Sequence, residues 1–193
     1  MQAQPHPRPP SSLSVEHARI GIEPSPIEVA HAQSSDAHAI LQLYKQVLSE
    51  DKWFITHLEE FVGTVGWQRR IIVELTRREN ACCLVARIGE TVVGVVTIQG
   101  GRLARMGHVG KLETFVGAEH RGMGVGQALM RRALDWAEAN PSLGKLGLYV
   151  FEDNDRAVEL YRSLGFEVEG RRDGEYRESD GQLRADLLMY RWV

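Results

Sequence analysis

The stretch His120-Arg121-Gly122-Met123-Gly124-Val125-Gly126-Gln127-Ala128-Leu129-Met130 has the residue types of an anion cradle. Glycines at alternate positions let successive backbone N–H groups turn toward one point, and a helix that starts there adds partial positive charge. Arg121 adds a full one. The N–H groups of Met123, Gly124, Val125, Gly126 and Gln127 are then the donors, and a pyrophosphate suits such a row. The same run also fits a plain glycine-rich turn ahead of a helix, so spacing must sort the alternatives. A P-loop needs G-x-x-x-x-G-K-S/T, but the register from Gly117 to Gly122 is followed by Met123, and the register from Gly122 reaches Gln127. The dinucleotide fingerprint G-x-G-x-x-G also fails, because Gly122-x-Gly124 runs on to Gln127 and Gly124-x-Gly126 to Leu129. What remains is the spacing Q/R-x-x-G-x-G/A, met by Arg121, Gly124 and Gly126.

A cradle of this kind needs a strand before it and a helix after it. A strand pattern runs from about 108 to 117, and beyond the glycines Leu129, Ala133, Trp136 and Ala137 form a helical stripe that Asn140-Pro141 ends. Residues 146–151 read as the next strand, completing a βαβ unit whose two strands lie parallel. Asp153-Asn154 can cap a helix bearing Ala157, Leu160, Tyr161 and Leu164 on one face, with Gly165 as its stop. Upstream, residues 27–30 read as a short strand. Ser34-Ser35-Asp36 offer capping oxygens to a helix with Ile40, Leu41, Tyr44, Val47 and Leu48 on its apolar face, and a second amphipathic helix spans 67–78. Trp53, Phe54, Ile55 and His57 either pack as core or line a pocket. Residues 81–87 and 91–98 flank Ile88-Gly89-Glu90 as a β-hairpin, and 166–171 and 183–192 read as two antiparallel strands joined by a polar loop.

The chain of 193 residues suits one domain, expected over 27–193, preceded by a disordered tail over 1–26 rich in Pro, Ser, His and Gln. A net charge of -3 argues against a nucleic-acid surface. No apolar run approaches the roughly 18 residues that span a bilayer, and the first residues lack an apolar signal core, so a cytoplasmic protein with no membrane partner is expected. Cys82 and Cys83 are adjacent on a strand, where successive side chains point to opposite faces; they are expected to be reduced packing residues. His6 and His17 are too sparse for a metal site, and no metal is expected.

The cradle and Asn154-Asp155-Arg156-Ala157-Val158-Glu159-Leu160-Tyr161-Arg162-Ser163-Leu164-Gly165-Phe166 together resemble the GNAT superfamily of acetyl-CoA-dependent N-acetyltransferases. The second segment matches that family's N-x-x-A-x-x-L-Y-x-x-x-G-F pattern, and the order of expected elements agrees over roughly 27–192. The resemblance implies an α/β fold, a mixed, centrally splayed β-sheet flanked by helices. It implies acetyl-CoA as co-substrate, with its pyrophosphate on the cradle, its pantetheine arm against the backbone of Phe115 and Val116, and Asn154, Ala157 and Tyr161 lining the same site. The implied reaction is acetyl transfer to a primary amine of a small molecule, amino acid or protein N-terminus, by direct attack in a ternary complex.

Such a transfer needs a proton for the departing thiolate, and the resemblance points to Tyr161, whose ordinary pKa of about 10 lies roughly one to two units above a thiol's. Tyr161 also fits as packing beside Leu160. Asn154 fits as a helix cap, a cofactor contact, or both. The base is open: Glu113, on the strand before the cradle, is the best-placed carboxylate and also fits a solvated strand face, with His108, and Glu152 with Asp153, as the other candidates. Residues 53–66 and the loop 173–181 are expected to shape the acceptor pocket. Relatives that act on amino acids, protein N-termini or small amines end in Gly-x-x-x-Asp-x-x-x-Met; Gly181, Asp186 and Met189 stand comparably, with one residue of added spacing before the Asp and one fewer after it. Members of the family are often homodimers, though nothing in the sequence specifies an interface. The alternative to an enzyme is a non-catalytic acyl-CoA-binding sensor or interaction module, which would keep Arg121 and the glycines but not Tyr161.

Overall fold

The computed structural model describes residues 26–193, so the expected tail over 1–26 lies outside the described residues apart from Pro26. Seven strands form one sheet in the order β1-β2-β3-β4-β5-β7-β6. They are β1 Ile27–His31, β2 Ala81–Ile88, β3 Thr91–Gly100, β4 Val109–Val116, β5 Lys145–Phe151, β6 Glu167–Arg177 and β7 Leu183–Trp192, and the helices are α1 Ala37–Leu48, α2 Val65–Arg77, α3 Val125–Glu138 and α4 Asp155–Ser163. Every neighbouring pair is antiparallel except β4 and β5, which the α3 crossover forces to run parallel. The mixed sheet expected from the resemblance is therefore present.

The alternation of strand side chains builds two cores, one on each face. On one face α1 and α2 press Ile40, Leu43, Ile72 and Leu75 onto Cys83, Val85 and Val95. On the other, α3 and α4 bring Leu129, Met130, Ala133, Val158 and Tyr161 onto Cys82, Leu84, Ile98, Leu112, Leu146 and Leu148. Cys82 and Cys83 thus fall in different cores, and both are free and buried, as a period of two dictates.

Two features of the sheet position the site. First, β4 and β5 pair only from Val109↔Lys145 to Lys111↔Gly147. Beyond that point β4 stays with β3 to Val116 and β5 stays with β7 to Phe151, so the sheet splits into two halves with a slot between them. Second, β6 is longer than the sequence pattern indicated. The expected polar loop over 173–181 is corrected: strand pairing resumes at Tyr176↔Arg184 after a bulge, and the turn is confined to 178–182. Buried Asp186 is the reason, because it accepts hydrogen bonds from both Arg172 and Tyr176 and so holds the far half of β6 against β7.

Candidate functional site

At the open end of the slot, β4 runs into a short 3-10 turn, Ala118–His120, and then into the glycines. Gly122 and Gly124 have φ of 84° and 86°, a region that only glycine enters without strain. Gly124 is the residue that starts α3, and its carbonyl accepts the first intrahelical bond from Ala128 at 2.9 Å. With no side chain to cap it, the helix leaves the N–H groups of Val125, Gly126 and Gln127 without intrahelical partners. The cradle has the donors that an anion requires, at the start of a helix with one face buried on the sheet.

Arg121 is placed differently from the sequence expectation. Its Nη1 and Nη2 hold the two carboxylate oxygens of Glu50 at 2.5 and 2.7 Å, and its Nε donates to Val116 O at 3.0 Å. Its charge is therefore matched by the carboxylate at the end of α1. Arg156, in the first turn of α4, also reaches the glycines: its Nη2 is 3.7 Å from where a Cβ on Gly122 would stand.

Hydrogen-bond phase decides which backbone groups face the slot. Gly117 N–H donates to Val93 O and Gly101 N–H to Val109 O, both at 3.0 Å. Bonded pairs in an antiparallel ladder recur at every second residue, so odd positions of β4 spend their N–H and C=O on β3. Phe115 is one of them, and the expectation that its backbone serves the pantetheine arm is corrected. Val116 points the other way, as does Thr114, which the sequence reading missed. Across the slot, Val193 N–H donates to Gly144 O and Glu152 N–H to Ala185 O, both at 3.1 Å, so even positions of β5 face β7 and the backbone of Tyr149 faces the slot. The Val116 carbonyl is occupied by Arg121, which leaves its N–H together with both polar groups of Thr114.

Tyr161 sits on the α3/α4 side of the sheet, its ring 5.9 Å from that of Phe166. Only 7% of the residue is exposed, no polar group among the described residues pairs with its hydroxyl, and burial pushes its pKa up to about 12. Asn154 caps α4, its side chain accepting from Ala157 N–H at 3.3 Å. Leu160 and Val116 both approach Gly126, which brings α4, β4 and the start of α3 together.

Glu113 lies on the opposite side, on the face that α1 and α2 flank, with its carboxylate 3.2 Å from Lys111 Nζ and about half exposed. Phe115 shares that face and joins Tyr44, Phe54 and Phe61 in an aromatic cluster with ring separations of 5.0 to 6.0 Å. Burial, and then the negative charge of Glu113, raise the pKa of Tyr44. The segment 49–64 crosses the slot: Phe54 packs on β4 through Phe115, while Lys52 O accepts from Arg184 at 2.9 Å on the β7 side. Arg184 in turn lies over the Phe151 ring at 3.8 Å and pairs with Asp153 at 2.7 Å.

The other base candidates are placed less well. His108 precedes β4 at its closed end, where its carbonyl accepts from Gly144 and Lys145. Five residues of strand, about 17 Å, separate it from Glu113. It is corrected out of the site. Glu152 is held by Arg171 at 2.7 and 2.8 Å, which lowers its pKa, and Asp153 is the partner of Arg184. Gly181 takes φ of 86° in the β6–β7 turn, and Asp186 and Met189 are buried in β7, so these three shape the strands around the site.

Comparison with known proteins bears on the fold and the family. The Acetyltransferase (GNAT) family pattern matches residues 37–166. The L-amino acid N-acetyltransferase of Escherichia coli is 32% identical over 158 residues, 79% of this chain and 93% of the relative. The N-alpha-acetyltransferase of Mycobacterium tuberculosis is 37% identical over 124 residues, 62% of this chain and 73% of the relative. Among solved structures, a GNAT-family acetyltransferase from Streptococcus pneumoniae superposes with a TM-score of 0.84 over 87% of this chain and 100% of that one, at 24% identity. A phosphinothricin acetyltransferase from Sinorhizobium meliloti, solved in complex with acetyl-CoA, gives 0.74 over 86% and 88% at 19% identity.

Proposed function

The chain belongs to the GNAT family of acetyltransferases, and from that premise we propose that it moves an acetyl group from acetyl-CoA to the primary amine of an amino acid, peptide N-terminus or other small amine, by direct attack between the two halves of the sheet. The observation that carries this reading is the unpaired stretch of β4 and β5 ending at an uncapped helix. The uncapped N–H groups of Val125, Gly126 and Gln127 fit a pyrophosphate, and the slot-facing polar groups of Thr114, Val116 and Tyr149 fit the amides of a pantetheine arm. The bound co-substrate supplies the activated thioester. The chain's own residues supply the rest.

In this reading the N–H of Thr114 stabilises negative charge growing on the carbonyl oxygen, while the N–H of Val116 serves the pantetheine arm. Glu113, on the α1/α2 face, accepts the proton of the incoming amine directly or through water. Tyr161, on the opposite face, donates toward the departing sulfur. Base and acid thus stand on either side of the slot, which suits an acceptor entering from the Glu113 face. Neither cysteine serves as an intermediate carrier: both are buried in β2, two strands from the slot, and burial pushes both thiols up to about 12.

The acceptor pocket is walled by Tyr44, Phe54 and Phe115 on one side and Phe151 with Tyr176 on the other, 5.2 Å apart ring to ring within that second pair. The similarity to an L-amino acid N-acetyltransferase along nearly its whole length puts amino acids first. The test is thiol release from acetyl-CoA with L-amino acids, N-terminal peptides and polyamines offered separately. Amine-dependent release that falls about a hundredfold in Glu113→Gln supports the reading. Binding of acetyl-CoA with no release for any amine would leave a sensor module in its place.

A further inference from the structure

We infer that Arg156, rather than the motif arginine Arg121, is the side chain that neutralises the pyrophosphate of the co-substrate; this rests on the acetyl-CoA reading above. Arg121 has given three N–H groups to Glu50 and Val116, and the Glu50 carboxylate cancels its charge. A dianion arriving at the glycines therefore needs its counter-charge from another residue. Arg156 Nη2 stands 3.7 Å from the position of a Gly122 Cβ, on the rim of the cradle. Among the described residues it makes no ion pair and no side-chain hydrogen bond, whereas Arg171, Arg172, Arg184 and Arg191 each hold a carboxylate.

Its placement is unfavourable without an anion on two counts. Arg156 is the second residue of α4, where a cation opposes the positive end of its own helix, and its guanidinium stands by Gly122, two residues ahead of the residue that starts α3. Asp155 beside it forms no pair with it. Both conflicts vanish when a phosphate sits between the two helix ends. Gly122 is part of the device, since its φ of 84°, a conformation that side chains rarely adopt, turns the chain beneath the guanidinium. The Asn154 cap holds the first turn of α4 in place and with it the base of the Arg156 side chain.

The experiment measures dissociation constants of acetyl-CoA, acetyl-3′-dephospho-CoA and acetyl-pantetheine for the full chain, the Arg156→Ala variant and the Arg156→Lys variant. Loss of a charge-assisted contact lowers affinity about ten- to a hundredfold. The expected result is that loss in Arg156→Ala for both diphosphate ligands, none for acetyl-pantetheine, and partial recovery in Arg156→Lys. Equal affinities for wild type and Arg156→Ala would overturn the inference, and so would a loss confined to the ligand carrying the 3′-phosphate. If the wild-type chain bound acetyl-CoA no better than acetyl-pantetheine, the proposed function would fall first, and this inference with it. Arg156 is exposed and unpartnered, so an unchanged circular dichroism spectrum and melting temperature are expected for both variants.

Discussion

Replacing Tyr161 by phenylalanine removes one oxygen from a ring buried between α4 and the sheet, and the structure sets the size of the effect. Burial pushes the hydroxyl up to about 12. An ordinary thiol lies near 8.5, so complete proton transfer is uphill by about 3.5 units, or about 5 kcal/mol, against about 2 kcal/mol for a tyrosine in water. A group that holds its proton so firmly helps chiefly by a hydrogen bond to the sulfur as charge grows there. Such a bond to a charged acceptor is worth about 1.5–3 kcal/mol, or about ten- to a hundredfold in rate. In a thiol-release assay with saturating amine, Tyr161→Phe is expected to lower kcat by that factor while the acetyl-CoA dissociation constant stays within about twofold. No described residue pairs with the hydroxyl, so Tm does not fall. The sign of the pH effect follows: an acid fails as pH rises through its pKa, so wild-type kcat shows no alkaline limb from Tyr161 below about pH 11. Unchanged kcat would refute the reasoning, and so would a wild-type limb near pH 9 to 10 that disappears in the variant.

Gly124→Ala forces a side chain into φ of 86° and is expected to cost about 1 kcal/mol, lowering Tm by about 2–4 °C and weakening acetyl-CoA binding in parallel. Asp186→Asn leaves Arg172 without its buried counter-charge. Because the Arg172 side chain keeps 34% exposure, the loss is expected at about 2–3 kcal/mol, below that of a fully buried pair, and is read by chemical denaturation. Cys82 and Cys83, with thiols pushed up to about 12, stay protonated as pH rises to 9. Native protein is therefore expected to resist iodoacetamide at pH 8 and keep full activity, with both sites labelled only after unfolding.

The cradle and the α4 pattern were legible because each is local. Glycines at fixed offsets, a strand before them and a capped helix after them specify a backbone shape within a dozen residues, and the structure reproduces it at Gly122, Gly124 and Asn154. What the sequence hid depends on pairing across the sheet. Phe115 and Val116 are adjacent letters, yet the phase of the β3–β4 ladder turns one toward β3 and the other into the slot. Counting by two back from Val116 finds Thr114 once that phase is known. Arg121 looked free because its partner, Glu50, comes from the end of α1, far away in sequence. The far half of β6 looked like a loop because the contacts that straighten it converge on Asp186 from across the hairpin. His108 looked eligible because sequence places it near Glu113, whereas an extended strand puts it at the closed end.

The central claim is that acetyl-CoA lies in the slot against alternate residues of β4. Amide hydrogen exchange, resolved by residue with and without saturating acetyl-CoA, tests it most directly. Slower exchange at Thr114 and Val116, together with Val125 to Gln127, is expected, with Glu113 and Phe115 unchanged because their N–H groups already bond to β3. Binding that leaves Thr114 and Val116 unprotected, or that protects Phe115 instead, would contradict the account.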